Sequence, residues 1–246
     1  MSRVAIIMPY YNEKDLLVKS VRGVLGQTYT DWHLYLIDDG SALENQAIKV
    51  LNDEKFDLSK ITVIHKDNGG VCSARNLALN YIRDLKVNYD YVAYCDSDDI
   101  WITSHLEQQI KILNETNNDF VYSAVRYQLP DGAPAWAWGI AMYDEWPGLN
   151  TLWKGNFIYI SSVVCKIKCL DMGNFDYDLN SIEDWDMWCR IGAAGYNITK
   201  NKNITITYTC KLNGNGSKGN SDIYRRFYAK HSHFLEHPED KDSRFL

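Results

Sequence analysis

The first hundred residues alternate between short apolar runs and amphipathic stretches, and no other feature of the chain restricts its fold so strongly. Val4 to Met8, His33 to Ile37, Ile61 to Ile64 and Tyr91 to Tyr94 are brief runs rich in β-branched or aromatic side chains. That length and composition predict buried strands. Between them, Leu16, Leu17, Ser20, Val21, Val24 and Leu25 fall on one helical stripe, and helices are expected around Leu43 to Leu51 and over residues 72 to 85. Strand and helix in alternation, joined by short turns, imply right-handed crossovers and a mostly parallel central sheet flanked by helices, an α/β fold. Ligands of such sheets sit beyond the carboxyl ends of the strands. Three of those ends are polar here: Pro9 to Glu13, Asp38 to Ser41, and Asp96 to Asp99.

After residue 100 the alternation weakens. Residues 104 to 115 and 183 to 193 read as helices, and Phe120 to Tyr127 and Ile204 to Tyr208 as strands. Pro130 to Gly148 reads as a loop carrying Trp136, Trp138, Tyr143 and Trp146. Lys211 to Asn220 is rich in Gly, Asn, Ser and Lys, so a mobile loop is expected there, placed to close as a lid. A helical patch near Ile223 to Leu235 follows. The division expected is a domain over 1–210, with a nucleotide-binding half to about 100 and an acceptor half over 101–210, then an extension over 211–246.

Composition excludes several classes. A hydrophobic content of 46% supports a real core, and a net charge of −6 argues against a nucleic-acid partner. The six cysteines form no C-x-x-C pair and have no histidine spacing for zinc. Cys72, Cys95 and Cys189 lie in apolar patterns, as buried free thiols do, and a reducing compartment fits. The apolar run at the N-terminus is too short for a signal peptide or a transmembrane segment. Cytoplasmic placement is therefore expected, and peripheral membrane contact is compatible with it.

The chemistry concentrates in Asp96-Ser97-Asp98-Asp99, where three carboxylates follow an apolar strand. Hard oxygen ligands suit Mn²⁺ or Mg²⁺, which bridge to phosphate oxygens. A bare D-x-D is more often a turn that caps the next helix; its place beside two other polar strand ends favours the metal reading. Pro9-Tyr10-Tyr11-Asn12-Glu13 offers aromatic faces for a base to stack on, with Asn12 also expected as a helix cap. Asn68-Gly69-Gly70 opens a helix that carries Arg75, but no G-x-G-x-x-G or Walker lysine is present. Asp184 begins a predicted helix, where the dipole favours its anion, and Asp186 is the rival for any role as a base.

In this order the motifs resemble those of the family 2 glycosyltransferases with the GT-A fold. The matching stretches are Met8 to Glu13, Gln27-Thr28-Tyr29, Ile37 to Ser41, Asn68-Gly69-Gly70 through Arg75-Asn76, Asp96 to Asp99, and Ile182 to Asp186. The resemblance covers roughly residues 3 to 210. It implies a single Rossmann-like domain and a metal-dependent, inverting hexosyltransferase that uses a nucleotide-sugar donor, typically of UDP. By position, Pro9, Tyr11 and Glu13 line the nucleoside pocket and Asp39 contacts the base. Arg75 lies near the nucleotide, Asp98 reaches ribose or metal, Asp99 is the main metal ligand, and Asp184 is the catalytic base. Trp185, Trp136 and Trp138 are candidates for holding a carbohydrate or lipid-linked acceptor. Many relatives carry a histidine after the last strand; Thr209-Cys210-Lys211-Leu212 stands there instead, leaving Lys211 or Lys218 to meet the diphosphate. A sugar nucleotidyltransferase and a non-catalytic nucleotide-sugar-binding protein are the competing readings. The first normally needs a Gly-rich basic N-terminal loop, which Pro9 to Glu13 is not.

Overall fold

All seven residues of the first strand, β1 (Val4–Tyr10), are buried, as a strand covered on both faces must be. The computed structural model describes residues 3–129, 143–210 and 221–232. The other strands are β2 (Trp32–Asp39), β3 (Ile61–Lys66), β4 (Tyr91–Tyr94), β5 (Ile100–Trp101), β6 (Phe120–Gln128), β7 (Val164–Lys166) and β8 (Ile198–Thr209). The helices are α1 (Lys14–Leu25), α2 (Ala47–Asp53), α3 (Gly70–Asp84), α4 (His105–Thr116), α5 (Leu149–Lys154), α6 (Glu183–Ala193) and α7 (Ser221–Lys230).

Among the described residues the strands form one sheet in the order β3-β2-β1-β4-β7-β6-β8-β5. The block β3-β2-β1-β4 is parallel throughout, β6 and β8 are also parallel, and the joins β4-β7, β7-β6 and β8-β5 are antiparallel. The sheet is thus mixed, with its parallel part where the alternation was cleanest. Side chains of β1 alternate between two cores, Ala5 and Ile7 on one face and Val4, Ile6 and Met8 on the other. The first core includes Ala78, Leu79 and Ile82 of α3 with Trp185 and Trp188 of α6; the second includes Leu17 and Val21 of α1 with Leu106 and Ile110 of α4. Each fully buried side chain of this size stabilises by about 1.5–3 kcal/mol.

Several sequence expectations shift. The helix expected from Leu43 begins at Ala47, after a 3-10 turn over Leu43–Asn45. Asp38 sets that start: its carboxylate accepts the Ser41 and Ala47 amides, at 2.9 and 2.8 Å. Asn12 does not cap α1. It sits at φ 59 and joins two strand-end loops, accepting the Ala42 amide and donating its own to Ser41 Oγ. His231, in the helical patch expected near Ile223 to Leu235, is 2% exposed and meets Asp186 at 2.8 Å. The loop expected over Pro130 to Gly148 lies partly outside the described residues, with Trp136 and Trp138; within them, Tyr143 and Trp146 pack against Phe157. The 211–220 loop, with Lys211 and Lys218, also lies outside them. The cysteines are free, five buried and Cys210 half-buried.

Candidate active site

The parallel register brings the polar ends of β1, β2 and β4 to one edge of the sheet. There a cleft of about 280 Å³ is lined by Pro9, Tyr10, Tyr11, Glu13, Asp39, Val71, Ala74, Asp96, Ser97 and Asp98. Five of the residues expected at a nucleotide site are in that lining. Tyr11 is 52% exposed, an unusual position for a large aromatic and the one a stacking ligand needs.

Asp39 lines the cleft, but its side chain is already engaged. Its oxygens accept hydrogen bonds from Lys66 Nζ at 2.6 Å, the Gly69 amide at 3.0 Å, the Gly70 amide at 2.8 Å and Asn68 Nδ2 at 3.2 Å. A carboxylate has about four acceptor sites. Asp39 therefore fixes the turn that opens α3, and direct contact with a base requires displacing one of these donors. The turn also depends on Gly40, at φ 80, where a Cβ would come within 2.6 Å of the Asn68 amide nitrogen. Sequence reading missed Lys66. The register Asp39↔Lys66 across two parallel strand ends was the signal available for it.

One carboxylate oxygen from each of Asp96, Asp98 and Asp99 can lie within 4.8 Å of the others. Their environments differ. Asp99 is 1% exposed, and burial, with the charges of Asp98 and Asp96, pushes its carboxyl well above the usual range. Its backbone carbonyl accepts Ser20 Oγ at 2.6 Å, which ties the cluster to α1. Its side chain accepts the Thr209 amide at 3.3 Å and a bond from Ser161. Asp96 is held by Arg75 Nη2 at 2.7 and 3.0 Å. Three carboxylates gathered so closely are an oxygen-only donor set, which fits Mn²⁺ or Mg²⁺.

Arg75 does not line the cleft. It is 3% exposed and stands behind it, bonded on its other nitrogen to Glu183 Oε1 at 2.5 Å. It thus couples the acidic cluster to the first residue of α6, across 108 positions of sequence. The next residue, Asp184, is half-buried, with Oδ2 accepting from Asn156 Nδ2 at 3.2 Å and Oδ1 from the Trp185 amide at 2.7 Å. Burial and the Glu183 carboxylate push its pKa up to about 7. Asp186, the rival, is fully buried and bonded to His231, Lys230 and Arg190. Burial opposes its ionisation, but the His231 and Lys230 hydrogen bonds and the Arg190 charge outweigh that and hold it down at about 2. So low a value unsuits it as a base.

Trp185 is not an acceptor platform. It is 2% exposed, its ring stacks on Phe227 at 4.0 Å, and its indole N–H donates to the Leu152 carbonyl. One helical step from Asp184 turns its side chain by about 100° into the core. Asn156 and Ser161 were not foreseen. Both lie in the irregular segment between α5 and β7, where no sequence period marks them; Ser161 Oγ also accepts the Asp96 amide at 2.9 Å.

The sequence pattern of the family described as Glycosyl transferase family 2 matches residues 5–165. The UDP-Glc:alpha-D-GlcNAc-diphosphoundecaprenol beta-1,3-glucosyltransferase WfgD of Escherichia coli is 39% identical over 120 residues, covering 48% of this chain and 44% of that protein. The succinoglycan biosynthesis protein ExoW of Rhizobium meliloti is 30% identical over 128 residues, covering 51% of this chain and 38% of that protein. The chain spans about half the length of the curated relatives it matches. The S. aureus TarS 1-349 structure in complex with UDP-GlcNAc superposes with a TM-score of 0.72 at 15% identity, covering 93% of this chain and 66% of that one. The mannosyltransferase PcManGT of Pyrobaculum calidifontis, in complex with GDP-Man and Mn²⁺, gives 0.71 at 17%, covering 97% and 66%. These likenesses show a shared GT-A-like fold, and the matched pattern covers well over half of the chain: it belongs to glycosyl transferase family 2.

Proposed function

We propose that the chain transfers a sugar from a nucleoside-diphosphate donor, UDP being the nucleotide expected, to a hydroxyl of a glycan or lipid-linked acceptor, with inversion. One observation carries the reading. A single cleft joins the exposed Tyr11 face to the acidic cluster, while Asp184, with a pKa raised to about 7, is tied to that cluster through Glu183 and Arg75. A pKa near neutrality suits a general base, worth about 10²–10⁴-fold in rate.

In this reading Pro9, Tyr11 and Glu13 hold the nucleoside, Asp39 reaches the base by giving up one of its present donors, and Asp98 and Asp99 hold the divalent ion, with Asp96 oriented by Arg75. A bound Mn²⁺ or Mg²⁺ supplies Lewis-acid stabilisation of the diphosphate leaving group, worth several kcal/mol, roughly. Asp184 takes the proton of the acceptor hydroxyl as its oxygen bonds to the anomeric carbon, while the bond from that carbon to the diphosphate oxygen breaks. One base and one displacement give inversion. The half to about residue 100 then serves the donor, and 101–210 the acceptor.

The UDP-Glc donor of WfgD and the UDP-GlcNAc and GDP-Man bound by TarS and PcManGT support a nucleotide-sugar donor. Among the described residues no helix is long and apolar enough to cross a membrane. The free cysteines suit a reducing compartment. Cytoplasmic placement, with peripheral contact where the acceptor is lipid-linked, is therefore part of the proposal.

Donor turnover in Mn²⁺ tests it. The expected result is slow release of free sugar and nucleoside diphosphate, with UDP the nucleotide that best raises the melting temperature. Pyrophosphate exchange would instead identify a nucleotidyltransferase, and binding without turnover a sensor.

A further inference from the structure

Three tyrosines that the donor site does not use pack together, Tyr208 within the field of the acidic cluster and Tyr159 within that of both Asp184 and Asp99. Tyr127 of β6, Tyr159 of the α5–β7 segment and Tyr208 of β8 have ring centroids 5.6, 5.6 and 5.2 Å apart, and the hydroxyls of Tyr127 and Tyr159 are hydrogen-bonded. All three are partly exposed. The backbone fixes where they stand. Tyr159 is three residues after Asn156, which holds Asp184, and two before Ser161, which holds the Asp96 amide. Tyr208 directly precedes Thr209, whose amide donates to Asp99. The tyrosine cluster is therefore joined through its backbone neighbours both to Asp184 and to the acidic cluster.

We propose that Tyr127, Tyr159 and Tyr208 form the subsite for the acceptor's terminal sugar, and that this sugar is neutral. The inference rests on the transferase reading above. Aromatic rings take the apolar face of a pyranose, and phenol hydroxyls bond its hydroxyls. Burial raises the pKa of each tyrosine. An ordinary phenol is uncharged at neutral pH, and burial keeps all three so. With carboxylates on both sides and neutral phenols between, a uronic acid meets repulsion. Asn156, which bonds Asp184 and also accepts the Ile158 amide next to Tyr159, puts this segment on the side of the base, where the attacking hydroxyl belongs, so the subsite is assigned to the acceptor rather than the donor sugar.

Saturation-transfer NMR in UDP and Mg²⁺ tests this, with methyl glucoside and methyl N-acetylglucosaminide as neutral probes and methyl glucuronide as the acidic one. At least one neutral glycoside is expected to bind wild-type protein more tightly than the glucuronide. Tyr208→Ala is expected to weaken it roughly three- to tenfold, and Tyr208→Phe to restore most of the loss. Tyr159→Phe keeps the ring and its packing, and is expected to weaken binding by about threefold through the lost hydroxyl. UDP affinity stays unchanged in all three variants. The proposal is overturned if no glycoside binds, if the glucuronide binds as well as the neutral probes, or if Tyr208→Ala and Tyr159→Phe both bind as wild type. A wild-type protein that fails to bind UDP with Mg²⁺ would overturn the donor reading instead.

Discussion

The donor side and the base side of the site are assembled in different ways. On the donor side each group stands within a few residues of a strand end, and the parallel register of β3-β2-β1-β4 gathers them. On the base side Asp184 of α6 is held by Asn156, and the long-range partners of the acidic cluster, Ser161 and Thr209, likewise arrive through antiparallel joins and irregular chain. The first arrangement is written into local sequence. The second exists only once α6, β7 and β8 have packed. Its weak points are therefore long-range contacts: Arg75 to Glu183, and α7 to α6 through Phe227 on Trp185.

Substitutions on each side should separate the two kinds of function. The largest effect is expected at Asp184→Asn, which should cut transfer by about 10²–10⁴-fold with donor affinity retained. In the wild type, turnover should rise as pH climbs through about 7, where Asp184 ionises, while UDP binding should not follow that limb. A pH-independent rate between 6 and 8, at saturating donor and metal, would remove Asp184 from the role.

Next in size is Asp186→Asn, which leaves Lys230, Arg190 and His231 without their buried carboxylate. Stability should fall by about 3–5 kcal/mol, measured by urea unfolding at neutral pH. Because the folded pKa of Asp186 lies below that of an ordinary Asp, its contribution is present at neutral pH and is lost as the solution is acidified from about 4 towards about 2. Loss of less than about 1 kcal/mol would mean that the α6–α7 contact is held by apolar packing alone.

Gly40→Ala should cost about 1–3 kcal/mol, since it combines a left-handed backbone with a 2.6 Å approach to Asn68. Tyr11→Ala should leave stability nearly unchanged, the ring being half exposed, and weaken UDP by about 1–2 kcal/mol, read by calorimetry.

What sequence alone revealed follows the same division. The four runs from Val4 to Tyr94 became strands, and the stripe over 183–193 became α6, because period and length agreed. β5 and β7, at two and three residues, carry too little pattern to be seen. β8 extends six residues before its apolar core, through Thr199-Lys200-Asn201-Lys202-Asn203, which reads as loop. The place of Asp184 in the first turn of α6 was legible because its motif is local. Trp185 misled because adjacency along a helix is not adjacency in direction. Lys66, Asn156 and the three tyrosines were invisible because each acts on a group at least 27 residues away.

The central claim is that donor binding belongs to the acidic cluster and base catalysis to α6, as separable functions of one site. Calorimetric titration of UDP into wild type, Asp99→Asn and Asp184→Asn, each with and without Mn²⁺, tests it most directly. The account predicts Mn²⁺-dependent binding in wild type and in Asp184→Asn, and its loss in Asp99→Asn. Equal UDP affinity with and without Mn²⁺ in wild type, or loss of binding in Asp184→Asn, would contradict it.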